Sequence, residues 1–73
     1  MSSIPILSGK DIVKKLEHYG YLVIRQKGSH IRPRHSDSNF KMITVPNHKT
    51  VKPGFLYRII KDANLTLEEF INL

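Results

Sequence analysis

The 73-residue chain contains no cysteine. That absence excludes a disulfide framework and thiolate metal sites, and it fits a reducing compartment. Long apolar runs are missing as well: nothing approaches the roughly 20 residues a membrane-spanning helix needs. The opening "MSSIPILSG" has neither a charged start nor an extended apolar stretch, so no secretory signal is expected and the expected location is the cytoplasm. Repeats, linkers and low-complexity tracts are absent too. Acids are scarce. Asp11, Glu17, Asp37, Asp62, Glu68 and Glu69 are scattered along the chain. Two-metal phosphodiester chemistry needs converging carboxylates, and nothing here supports it. His18, His30, His35 and His48 lack a close metal-ligand spacing. No metal, no other cofactor and no membrane partner is expected.

What is present is a basic excess. Twelve Lys and Arg against six acids give a net charge of +6. Such a balance favours polyanionic partners, nucleic acid first among them, although surplus lysine also serves solubility. The hydrophobic fraction, 40%, suffices for one small core. A lead-in over residues 1–7 and a single domain over 8–73 are expected.

The periodicities read α-β-β-β-α. Ser8 is a good N-cap, Asp11 suits the first helical turn, and Leu7 and Ile12 have staple spacing. Ile12, Val13 and Leu16 share one face, with Lys14, Lys15 and His18 outside; Gly20 ends the helix. "YLVIRQ" reads as a strand and Lys27-Gly28 as a tight turn. "SHIRPRH" is the second strand, "SDSN" a turn and "FKMITV" the third strand. Pro33 cannot donate to a ladder, so it is expected at a bulge or beyond the paired part of its strand. After the polar loop "PNHKTVKPG", Pro53 starts a helix whose stripe is Phe55, Leu56, Ile59, Ile60 and Ala63. Asn64 follows as a cap. Thr66 and Glu69 have capping-box spacing for a short final helix. The aromatic residues mostly fall on core-facing stripes and read as core rather than as stacking platforms for bases. The fold class is α+β: helices on one face of a three-stranded antiparallel sheet.

Strand alternation then selects a surface. Ile31 must face the helices, so His30, Arg32 and Arg34 share the open face, with Lys27 near one end. An RNA strand can be cleaved by its own 2′-hydroxyl if a base removes that proton and cations stabilise the charge at phosphorus. Histidine suits the first role and Arg or Lys the second. The bland alternative is that His30 only binds phosphate or caps the hairpin. Ser29 is not expected to act as a nucleophile with His30, because adjacent strand residues point to opposite faces.

The chain resembles the HicA, or YcfA-like, toxins of bacterial toxin–antitoxin systems. The resemblance runs from Ser8 to Phe70. It rests on "SGKDIVKKLEHYGYLVIRQKGSH", "RH" at Arg34-His35, "TVPNH" and "KPGFLYRIIKDANLTLEEF", with "RQKGSH" the most specific part. It implies a double-stranded-RNA-binding-like fold and a toxin that cleaves mRNA and arrests growth. It also implies that His30, the histidine of the "GSH" motif, is the essential residue. The partner it implies is a HicB-like antitoxin, expected to be acidic and to cover the His30 face. The chain departs from the family pattern at Ile31, where a second histidine or a polar residue is common, and at Pro33; both bear on local strand geometry.

The leading expectation is a metal-independent mRNA endoribonuclease with His30 as base or acid. Lys27, Arg32 and Arg34 would hold phosphate. His35 and His48, or water, are the candidates for a second proton-transfer group. The competing expectations are a non-catalytic module that recognises RNA by shape and charge, and a regulatory subunit that docks an acidic protein.

Overall fold

Ser8 caps the first helix as its position predicts, its Oγ accepting a 3.1 Å hydrogen bond from the Asp11 N–H. The computed structural model describes residues 4–73. Residues 1–3, part of the expected lead-in and of the stretch read against a signal peptide, lie outside the described residues. Helix α1 spans Gly9–His18 and buries Ile12, Val13 and Leu16. Its first residue is glycine for a packing reason: a Cβ on Gly9 would collide with the Pro46 carbonyl oxygen. The Gly9 N–H donates to the His48 carbonyl at 2.9 Å. The start of α1 is therefore seated directly on the backbone that follows the sheet.

Strand β1, Tyr21–Lys27, and strand β2, His30–His35, form an antiparallel hairpin. The loop between them is Gly28–Ser29, one residue later than the expected Lys27-Gly28 turn, because Lys27 still pairs with His30. Gly28 has φ +57° and Ser29 keeps a negative φ, the pattern of a two-residue hairpin loop with glycine first.

The third strand is shorter than expected. Only Val45–Pro46, β3, pairs with β2, opposite Ile31 and His30. The sheet order is β1-β2-β3, so the proline-bearing strand is central. The cause of the shortening is Pro33. The Ile43 N–H donates to the Pro33 carbonyl at 3.1 Å, but proline has no N–H to return the bond. Residues 40–44 consequently run beside the sheet without joining the ladder. Pro33 thus lies past the β3 pairing, while still opposite Val23 of β1. The bulge is on the other strand: Val23 faces Pro33 and Arg25 faces Arg32, which leaves Ile24 as the extra residue.

Helix α2, Pro53–Asp62, begins with Pro53 at its first turn and buries Leu56, Ile59 and Ile60. Asn64, just past its end, takes φ 61°. Helix α3, Leu67–Ile71, carries the complete Thr66/Glu69 capping box. One core joins the layers: Ile12 and Leu16 of α1, Ile31 and Val45 of the sheet, Leu56 and Ile59 of α2, and Phe70 of α3. The smallest extent of the molecule, 17 Å, fits one helix layer on one sheet. The architecture is α+β with an open sheet face, in the expected α-β-β-β-α order plus a terminal helix. No helix among the described residues is long and apolar enough to cross a membrane.

Candidate nucleic-acid interface

β2 sorts its side chains strictly. Ile31 and Pro33 are buried toward the helices; His30 and Arg34 are exposed on the open face, and Arg32 is half-buried there. The hairpin brings β1 residues opposite them. Lys27 faces His30, Arg25 faces Arg32, and Leu22 faces Arg34. A groove of about 320 Å³ on this face is lined by Ile24, Arg25, Lys27, His30, Arg32 and Met42. Three cations and one imidazole converge there with no carboxylate in the lining. Like charges set directly opposite each other in a sheet cost stability. Arg25 and Arg32 are such a pair, which gives the groove the character of an anion site.

Arg32 is held at the groove floor. One guanidinium N–H₂ reaches the Met42 Sδ at 3.2 Å, a weak acceptor. Its buried Nε has no hydrogen-bond partner. Buried donors without acceptors are costly and uncommon. The Arg32 Nε–H is therefore a desolvated donor with no acceptor among the described residues, while the guanidinium remains a cation in the groove lining.

The structure brings Lys27, His30 and Arg32 together and leaves Arg34 outside the groove, at the Leu22 end of the hairpin. His35 is on the other side of the sheet. Its ring stacks on Phe40 at 4.1 Å and meets Tyr21 and Tyr19 edge-on. Its Nδ1 accepts from the Asp37 N–H at 2.9 Å, and its Nε2 lies 2.7 Å from the Tyr19 carbonyl. Since a backbone N–H can only donate, the proton belongs on Nε2, which donates to Tyr19. Both nitrogens are thereby engaged in holding the turn. His48 is exposed and lines a second groove beyond the sheet.

That second groove, about 770 Å³, lies between α2 and the Met42–Lys52 segment. Met42 lines both grooves, so the two adjoin. Phe55, expected in the core, is 43% exposed on the groove wall, and Tyr57 is 51% exposed elsewhere on α2. Tyr21 and Phe70 are fully buried, as expected, and Tyr19 and Phe40 pack partly buried against the core.

Arg25 was not expected in the site. Counting from buried Tyr21, strict alternation points residue 25 inward; the Ile24 bulge reverses the phase. Counting back two residues from Lys27, whose place is fixed by the hairpin loop, would have found it. Among the described residues no three His, Asp or Glu side chains are grouped so as to hold a metal ion.

Compared with curated proteins, the chain finds no match. Residues 9–65 match the family described as the HicA toxin of bacterial toxin–antitoxin systems. That stretch carries α1, the whole sheet, both grooves and α2, and the chain belongs to this HicA toxin family.

Proposed function

We propose that this toxin is an mRNA endoribonuclease whose site is the acid-free groove on the open sheet face. The observation that carries the proposal is the grouping of His30 with Arg25, Lys27 and Arg32 around one groove. In the reaction, His30 accepts the proton of an RNA 2′-hydroxyl. The 2′-oxygen attacks the adjacent phosphorus, the bond from phosphorus to the 5′-oxygen breaks, and a 2′,3′-cyclic phosphate forms. The departing 5′-oxygen takes a proton from water; His48, which lines the adjoining groove, is the alternative among the expected donors. Arg25, Lys27 and Arg32 hold the phosphate and offset its growing charge. None of these steps needs a metal ion. Arg34 meets the chain further along the strand. The substrate places the activity in the cytoplasm. An acidic, HicB-like antitoxin would neutralise the same face and exclude RNA, with opposite charge speeding its association.

A second reading is a non-catalytic RNA-binding module. It draws on one observation: no hydrogen bond among the described residues orients the His30 ring, whereas a catalytic base is usually held by a third group. The test is incubation of the antitoxin-free protein with single-stranded RNA in EDTA. Cleavage with cyclic-phosphate ends, lost in a folded His30→Ala variant, is the expected result. Undiminished cleavage by His30→Ala protein free of contaminating nuclease would overturn the assignment. RNA binding without cleavage by the wild-type protein would favour the binding module.

A further inference from the structure

Apart from His48 as an alternative proton donor, the groove along α2 has no part in the chemistry above, yet its wall is unusual. Phe55 sits on the helix stripe that buries Leu56 and Ile59, and still leaves 43% of its surface open. The groove floor beneath is apolar, formed by buried Val51 and Ile59. Around this apolar centre the rim carries Lys52, His48 and Arg58. The combination of one open aromatic ring, an apolar floor and a cationic rim is what an unpaired nucleotide requires: a face for its base and charge for its phosphate.

We propose that this groove is a flanking-nucleotide subsite, in which an unpaired base of the RNA stacks on Phe55 while Lys52 and Arg58 hold the neighbouring phosphates. The proposal rests on the RNA-cleaving reading of the His30 groove and extends it. Two observations favour RNA over another occupant. The first is continuity: Met42 is a wall of both grooves, so a strand whose phosphate lies at His30 meets the α2 groove next. The second is charge, since the rim repeats the basic character of the His30 groove. The one acid in the lining, Asp62, is one helical turn beyond Arg58 and opposes Lys52 across the length of α2. Its carboxylate repels phosphate and accepts hydrogen bonds from base amino groups. The groove therefore has a direction, with the sugar–phosphate chain along the rim from His48 and Lys52 to Arg58 and the base edge toward Asp62. A duplex cannot use this site, because its bases are already stacked. The subsite selects single-stranded RNA, where charge and shape alone would not.

The chain has no tryptophan, which supplies a direct probe. Phe55→Trp protein, with His30 intact, is titrated with a mixed-sequence single strand carrying 2′-O-methyl groups, which cannot be cleaved through its own 2′-oxygen. Stacking should quench the sole indole, and the matching 2′-O-methyl duplex should not. In an anisotropy titration, Phe55→Ala should bind the single strand roughly tenfold more weakly or worse. Phe55→Trp should bind it about as well as wild type. Circular dichroism checks that both variants are folded. Binding of the single strand with no quenching, and with Phe55→Ala affinity unchanged, would overturn the subsite and leave the RNA reading standing. No binding of any RNA by the wild-type protein would overturn the RNA reading itself. Equal quenching by the duplex would overturn the stacking geometry. If Phe55→Ala lost affinity only for the antitoxin, the groove would belong to a protein partner and the inference would fail.

Discussion

Two histidines at the ends of one strand should fail in opposite ways. His35 donates to the Tyr19 carbonyl, accepts from the Asp37 N–H and stacks on Phe40. Two hydrogen bonds at about 1 kcal/mol each, with aromatic contacts of about 0.5–1.5 kcal/mol, put the cost of His35→Ala near 3 kcal/mol. A domain of this size has only about 4–11 kcal/mol in total. The loss should lower Tm by roughly 10–25 °C, at about 4–8 °C per kcal/mol for a small domain. His30 is exposed and outside the core. His30→Ala should stay within roughly 0.5 kcal/mol of wild type while abolishing cleavage. The assay is urea denaturation of both variants alongside RNA cleavage at low temperature, normalised to the folded fraction. His35→Gln is the control that keeps a donor for Tyr19, and it should recover about 1 kcal/mol. If His35→Ala kept its stability but lost cleavage, the structural role would be refuted and His35 would return as a proton-transfer group.

Arg25→Ala should weaken RNA binding and reduce the slope of log affinity against log salt by about 0.7, the value for one phosphate contact on a single strand; an unchanged slope removes Arg25 from the site. Gly9→Ala forces a Cβ into the Pro46 carbonyl, so it should cost at least the roughly 1–3 kcal/mol typical of overpacking, read as a lowered denaturation midpoint. Tyr21 has its phenol pKa raised, first by burial, then by Tyr19 and Asp62. The folded state therefore holds that proton more tightly than the unfolded chain does, and the contribution is complete below about pH 10 and falls as pH rises through the folded pKa. Tyr21→Phe should flatten this alkaline loss. It should also cost about 1 kcal/mol at neutral pH for the lost bond to the Lys41 carbonyl, 3.0 Å in the structure.

The parts of this fold readable from sequence are those decided by local chemistry. Ser8, Thr66 and Glu69 act on backbone groups three residues away, and all three make the bonds their spacing implies. The outward turn of His30 was equally readable, since a single apolar residue, Ile31, sets the phase of β2. The same alternation turns His35 inward with Ile31 and Pro33, so its place in the aromatic cluster was implicit in the pattern. What could not be read depends on tertiary context. The Ile24 bulge reverses the phase of β1 partway along and moves Arg25 into the site. No residue in "LVIRQ" announces that reversal, because β-branched residues suit either face of an edge strand. Phe55 has helical core spacing, but α2 borders a groove there instead of a second packed element. Its exposure follows from what α2 faces, which the helix's own sequence does not encode.

Pro33 links these features. A proline in the central strand costs one ladder bond, and natural sheets confine it to edges and bulges. Here the lost bond is the one residue 33 would return to Ile43, and the segment from Phe40 to Thr44 is released from regular pairing. Met42 belongs to that released segment, and it is Met42 that touches Arg32 and forms the common wall of the two grooves. A full third strand would instead tie this segment into the ladder beside β2 and fix its course by the sheet. The opposing bulge at Ile24 has a matching effect, since it sets Arg25 against Arg32 at the step beside Pro33. Two departures from ideal sheet geometry therefore meet at one step of the hairpin. Each lowers the stability of a small domain, and both shape the cationic face that carries His30.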